Sequence, residues 1–179
     1  SYGDANGLQH PNEKSFNIVC DAYAKYGMAK EVKDLLSEMI AISQNGQPQC
    51  RPGTITYNTL LSAYANSVAL SGNVENAEKS MDELEDMLEL YHTTNSPDRK
   101  PDVISFSTVI AACAHAASTS VIFAQHAENI LEQMKEMYTS SLVENGGDGE
   151  WLEIQPNHVC YSSVIHAWSN SGASDAAER

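Results

Sequence analysis

Basic side chains are scarce in this chain. Ten Lys and Arg stand against 24 Asp and Glu in 179 residues, a formal net charge of −14, so the broad positive surface from which nucleic-acid binding draws its baseline affinity is missing. No apolar run approaches the length of a membrane span. The four cysteines (Cys20, Cys50, Cys113, Cys160) contain no Cys-x-x-Cys spacing, and neither Cys113-x-His115 nor the Cys160/His166 couple has a second couple to complete a four-ligand metal set. A phosphate-gripping Gly-rich loop, a Ser-His-Asp order and a His-Glu-x-x-His motif are also absent. Carboxylates are plentiful, but they recur at helical spacing as surface stripes rather than as an isolated pair with separated pKa values. No catalysis, metal, cofactor or membrane is therefore expected. Cys20 and Cys113 read as reduced core thiols, which suits an intracellular compartment.

What the sequence does have is repetition. A proline opens the same phrase four times: Pro-Asn-Glu-Lys-Ser-Phe-Asn at 11–17, Pro-Gly-Thr-Ile-Thr-Tyr-Asn at 52–58, Pro-Asp-Val-Ile-Ser-Phe-Ser at 101–107 and Pro-Asn-His-Val-Cys-Tyr-Ser at 156–162. Counting places from Glu13, Thr54, Val103 and His158, the fourth is aromatic (Phe16, Tyr57, Phe106, Tyr161). The fifth is small and polar (Asn17, Asn58, Ser107, Ser162), and the seventh and eighth are apolar (Val19–Cys20, Leu60–Leu61, Val109–Ile110, Val164–Ile165). The tenth is always alanine (Ala22, Ala63, Ala112, Ala167) and the eleventh is Tyr23, Tyr64, Cys113 or Trp168. Apolar places 4, 7, 8 and 11 form the stripe of an amphipathic helix. A fixed alanine within it implies a neighbouring helix too close to admit a larger side chain.

A second helix follows in each unit. Val74, Ala77, Met81, Leu84 and Leu88 hold one face while Glu75, Glu78, Asp82, Glu85 and Glu89 hold another, with Asn73 as the expected N-cap. Val32 to Ile42 and Ala127 to Met137 repeat the pattern. Periodic hairpins of this kind stack into an array, with units expected at 13–53, 54–102, 103–157 and a partial unit at 158–179. Residues 1–12 read as the tail of a preceding unit, and 175–179 as the start of a further second helix. Without polar capping helices at either end, the chain reads as an excerpt of a longer array.

The aromatic–Asn/Ser–x–apolar–apolar opening after Pro-Asp or Pro-Asn, with Tyr57-Asn58-Thr59-Leu60-Leu61-Ser62-Ala63-Tyr64 and Gly72-Asn73-Val74-Glu75-Asn76-Ala77-Glu78, resembles the pentatricopeptide repeat. The resemblance covers nearly the whole chain and implies an all-α, right-handed α-solenoid of stacked antiparallel helical hairpins. The Trp…Leu-Gly…Tyr first helix of the related tetratricopeptide repeat is absent. Successive prolines lie 41, 49 and 55 residues apart, longer than the usual unit. The surplus is expected late in each unit, as longer second helices followed by loops across Ser43–Gln49, Tyr91–Lys100 and Ser140–Gln155, either tolerated insertion or contact loops.

The resemblance further implies that single-stranded RNA lies along the first helices, one base per unit. The fifth place pairs with the closing residue of the unit: Asn17 with Gly53, Asn58 with Asp102, Ser107 with Asn157, and Ser162 with a residue beyond the chain. By the family's code the Asn58/Asp102 unit favours uracil and the Ser107/Asn157 unit adenine, while Gly53 leaves the first unit permissive. Ile55, Ile104 and Val159 take the base-stacking place, and Lys14 meets a phosphate instead. Organellar work on transcripts, in mitochondrion or chloroplast, is implied with it. Residues 54–102 carry three basic and nine acidic side chains and 103–157 one and seven, yet the stretches Ile55–Ala65 and Ile104–Ala116 carry no Asp, Glu, Lys or Arg. The acid is thus expected on the second helices, as a solvated face or as a surface for a protein partner. A protein-interaction scaffold is the alternative function.

Overall fold

The computed structural model describes residues 11–143 and 151–173. Among them are seven α-helices: α1 (Glu13–Ala24), α2 (Ala29–Gln44), α3 (Thr54–Ser71), α4 (Glu75–Thr94), α5 (Val103–Ala116), α6 (Val121–Val143) and α7 (His158–Ser171). The expected tail at 1–12 falls almost wholly outside the described residues, as does the expected helix start at 175–179. Consecutive helices pair as hairpins, and the first helices pack on one another in the order α1, α3, α5, α7. The second helices α2, α4 and α6 each lie against the two first helices flanking them, and make no close backbone approach to one another. This is the expected all-α helical-repeat solenoid.

Three of the four first helices begin at a side-chain cap, the exception being α3, whose N-cap is Gly53. The Asn12 side chain accepts from Ser15 N at 3.1 Å and Ser15 Oγ accepts from Asn12 N at 2.9 Å. Asp102 and Ser105 build the same reciprocal box on α5, and Asn157 caps α7 through Val159 N. The fold then buries the places that the repeat marks. Phe106, Val109, Ile110, Ala112 and Cys113 are wholly buried, as are Leu60, Leu61 and Ala63 on α3. The same places open up on the outer helices: Val19 of α1 is 44% exposed and Ile165 of α7 is 70% exposed, because each has a described first helix on one side only. Asn66 and Asn170 donate their amides to the Ala24 and Ala114 carbonyls (2.9 and 3.3 Å), supplying partners to groups near helix ends that the ladder leaves open. Gly27 turns α1 into α2 at φ +66°, and a Cβ there would lie 2.7 Å from the Ser67 backbone of α3. Only glycine permits that approach.

Two expectations are corrected. Asn73 does not cap α4 with its side chain. Val74 is already helical, and the turn tightens through Asn76 N to the Asn73 carbonyl at 3.1 Å, leaving the side chain exposed. The extra length of the second unit does not fall only at its end, since α3 has 18 residues where α5 and α7 have 14. Nor are the described parts of the inserts padding. Each carries a short 3₁₀ turn (Pro48–Cys50, Pro97–Arg99, Leu152–Ile154), and Cys50, Trp151 and Ile154 are buried. Arg51 pairs with Asp98 at 3.3 Å, Arg99 lies over the Tyr57 ring, and Lys100 lies over Trp151, which meets Tyr91 edge-on. The inserts thus stack on their neighbours along one edge.

All four thiols are free and buried. Burial pushes Cys113 up to about 12 and raises Cys20 and Cys50, so little reactive thiolate exists in the folded state. Iodoacetamide at pH 8 is expected to leave the native chain unlabelled and to modify four sites in urea, read by intact mass. Rapid native labelling of Cys113 would contradict this packing.

Candidate nucleic-acid interface

The fifth place of the second unit is the best-built position on the first-helix layer. Asp102 stops α5 from fraying by accepting from Ile104 N and Ser105 N, both at 2.9 Å. The same Oδ1 accepts from Asn58 Nδ2 of α3 at 3.0 Å. Ser105 Oγ, whose oxygen accepts from Asp102 N, donates to Asn58 Oδ1 at 2.6 Å. The Asn58 side chain, 8% exposed, is therefore held at both ends with one N–H still uncommitted. Residues 44 apart in sequence are joined by the packing of α3 on α5.

The other expected pairs are less complete. Asn17, half-buried on α1, accepts from Thr56 Oγ1 of α3 at 2.8 Å. Its expected partner Gly53 offers no side chain, and the space where one would grow is occupied by the Glu13 carboxylate. Ser107 turns back to donate to the Ile104 carbonyl at 3.2 Å, while Asn157 is spent on Val159 N and Cys160 N. No hydrogen bond joins Ser107 to Asn157. Ser162 is exposed and donates to the Val159 carbonyl. Such back-bonding is ordinary for a helical serine.

One turn before these residues, on the same helical faces, stand Ile55 (66% exposed), Ile104 (55%) and Val159 (41%). Three branched aliphatics in solvent at a matched place form a periodic row. Lys14 occupies that place on α1 and is exposed.

The place that sequence reasoning passed over is the third: Ser15, Thr56, Ser105 and Cys160. Its signal was present, because a hydroxyl three residues after Asn12 or Asp102 is a capping-box spacing. What no local pattern shows is that the hydroxyl of Thr56 or Ser105 also reaches the fifth place of the preceding unit.

The charge divides between layers. Glu75, Glu78, Asp82, Glu85 and Glu89 are exposed along α4. Glu83 breaks the stripe: it is 6% exposed and paired with Lys33 of α2. On the first-helix layer the His115 and His166 rings meet edge-on at 6.3 Å. Burial first, and the neighbouring imidazole second, hold His115 below its ordinary 6.5, which favours a neutral ring at pH 7. Among the described residues no group of three or more His, Cys, Asp or Glu is placed to hold a metal ion, and no helix is long and apolar enough to cross a membrane.

The family model of the PPR repeat matches residues 14–42, which span α1 and most of α2. A chloroplastic pentatricopeptide repeat-containing protein of Arabidopsis thaliana is 25% identical over 170 residues, covering 95% of this chain and 17% of that protein. The chain thus spans about a sixth of the length of that relative. No solved structure matches it. With the hairpin array, these findings make the chain similar to pentatricopeptide repeat proteins over most of its length.

Proposed function

We propose that the first-helix layer binds single-stranded RNA, reading one base per unit over 13–53, 54–102, 103–157 and 158–179, in the processing, stabilisation or translation of organellar transcripts. The observation that carries this reading is the Asn58–Asp102 hydrogen bond across a unit boundary, flanked by exposed Ile55 and Ile104. An oriented amide offers a donor and an acceptor to a Watson–Crick edge, and the aliphatic pair clamps the base without selecting it. Asn17, Asp102, Ser107, Asn157, Ser162 and Val159 complete the set, and the chain takes no catalytic part. The chloroplastic relative supports an organellar setting, with mitochondrion or chloroplast both open to it. Base stacking is worth roughly 1–3 kcal/mol per base, and association costs several kcal/mol, so the described units alone bind weakly, above the repulsion of the acidic layer.

The test is selection from RNA pools with a chain carrying Asn58→Ser and Asp102→Asn together. Preference at one register is expected to move from uracil to adenine by about tenfold, the scale of one bidentate contact. Retention of a uracil preference would refute the assignment. Binding to basic proteins, with no RNA enriched at all, would favour the scaffold function of the acidic helices.

A further inference from the structure

The geometry points to the third place of each unit as the positioning residue for the fifth place of the unit before it: Thr56 orients Asn17, and Ser105 orients Asn58. This rests on the RNA-reading function proposed above and deepens it, because it names the group that decides which way the reading amide faces.

A hydroxyl has one proton. At the third place its oxygen is occupied by the backbone N–H of the N-cap residue, as Ser105 Oγ is by Asp102 N at 3.0 Å in a full capping box and Thr56 Oγ1 by Gly53 N at 3.4 Å without the reciprocal bond. The proton is then available to an acceptor outside its own turn, and for Ser105 the own-turn alternative, Asp102 Oδ1, is the longer contact at 3.2 Å. In both cases it is donated across the unit boundary to an amide oxygen, Asn58 Oδ1 at 2.6 Å and Asn17 Oδ1 at 2.8 Å. Both hydroxyl residues are completely buried, so water does not compete for the bond. Ser15 shows the converse: with no preceding first helix described, its proton returns to the Asn12 carbonyl at 2.8 Å.

An asparagine side chain that is free to rotate by half a turn exchanges its carbonyl and amino groups. The two orientations complement opposite base edges: uracil offers an N3–H beside a carbonyl, and cytosine an unprotonated N3 beside an amino group. Holding the carbonyl toward the third-place hydroxyl therefore selects between two pyrimidines that are the same size. Asn58 has a second restraint in Asp102. Asn17 has none, since its closing residue is Gly53, so in the first unit Thr56 carries the orienting role alone. A first unit left permissive by Gly53 is in this way given a selector from the following helix. At the third boundary the pattern lapses: Cys160 stands at the third place, its sulfur lies 3.6 Å from Asn157 Oδ1, and Ser107 turns to its own helix.

The experiment compares Thr56→Val, which keeps the shape and removes the proton, with Thr56→Ser, which keeps the proton. Folding of both is checked by far-ultraviolet circular dichroism. RNAs differing only in uracil or cytosine at the register of the first unit are titrated against each chain. Thr56→Val is expected to bring the affinity ratio about five- to tenfold closer to one, the worth of a single neutral hydrogen bond. The register of Asn58 stays unchanged and Thr56→Ser restores the ratio. In the absence of RNA, the Asn17 side-chain amide signals are expected to exchange with water faster in Thr56→Val than in the parent. An unchanged ratio at the first register, while the Asn58 register still discriminates, would overturn the positioning role alone. No discrimination at any register would instead overturn the RNA-reading function, and the Asn17 amide exchange would still decide whether Thr56 holds the side chain.

Discussion

Replacing Phe106 with alanine is expected to destabilise the array by about 3–5 kcal/mol, the usual cost of emptying a buried aromatic site. Phe106 is wholly buried on α5, and α5 is the helix that touches α3, α4, α6 and α7 at once. In a stacked array, stability is the sum of unit terms and nearest-neighbour interfaces. A cavity in α5 therefore weakens the link between the two halves as well as one unit. Both tryptophans, Trp151 and Trp168, lie on the C-terminal side of that link. Urea unfolding of the parent followed by tryptophan fluorescence and by circular dichroism should give coincident transitions, whereas in Phe106→Ala the fluorescence transition should come first. Phe106→Leu, which keeps most of the volume, should cost less than about 1.5 kcal/mol. Equal midpoints for Phe106→Ala and the parent would mean that the fourth place is not where the hairpins are joined.

Lys33→Ala is expected to cost about 2–3 kcal/mol, far more than any other exposed cation in the chain. Surface ion pairs such as Lys25–Asp21 and Lys79–Glu75, with both partners well exposed, are worth at most about 1 kcal/mol. The Glu83 side chain is only 7% exposed, and the Lys33 ammonium is its ion-pair partner. Removing the lysine leaves a carboxylate out of water without compensation, a penalty that exceeds the worth of the pair itself. The exposure of Lys33, 45%, keeps the effect below that of a fully buried pair. The bridge also ties α2 to α4, each of which packs on α3. Glu83→Gln placed on Lys33→Ala should recover much of the loss by removing the unpaired charge. Thermal unfolding midpoints of the single and double variants decide this, and additive losses would show that the two side chains do not interact.

Much of the fold was legible because its determinants are local. A cap of Asn or Asp followed by a hydroxyl three residues on starts a helix whatever surrounds it. A stripe at places 4, 7, 8 and 11 assigns the inward face before any neighbour is known. The alanine at place 10 foretold the close packing seen at Ala63, Ala112 and Ala167, all wholly buried, but not at Ala22, which is exposed on the outer helix α1. Where the local signal misled, the backbone had taken over the work: the Asn73 carbonyl accepts from Asn76 N at 3.1 Å, and the Asn73 side chain is not used as a cap. The inserts were misjudged for a related reason. Trp151 and Cys50 sit in stretches with loop composition, and nothing in that composition says that another unit lies within reach to cover them.

The sequence by itself therefore determined the repeat, its helical phase and the separation of a neutral layer from an acidic one, since these follow from periodicity and from chemistry within a few residues. Only the tertiary structure decided which of several similar polar side chains are held. Asn58 is clasped by Asp102 and Ser105 while Ser107 is not held by Asn157, and Glu83 is buried against Lys33 while its neighbours on α4 meet water. Those outcomes depend on what packing brings from some forty or fifty residues away. A buried polar group keeps its place only where that distant partner satisfies it.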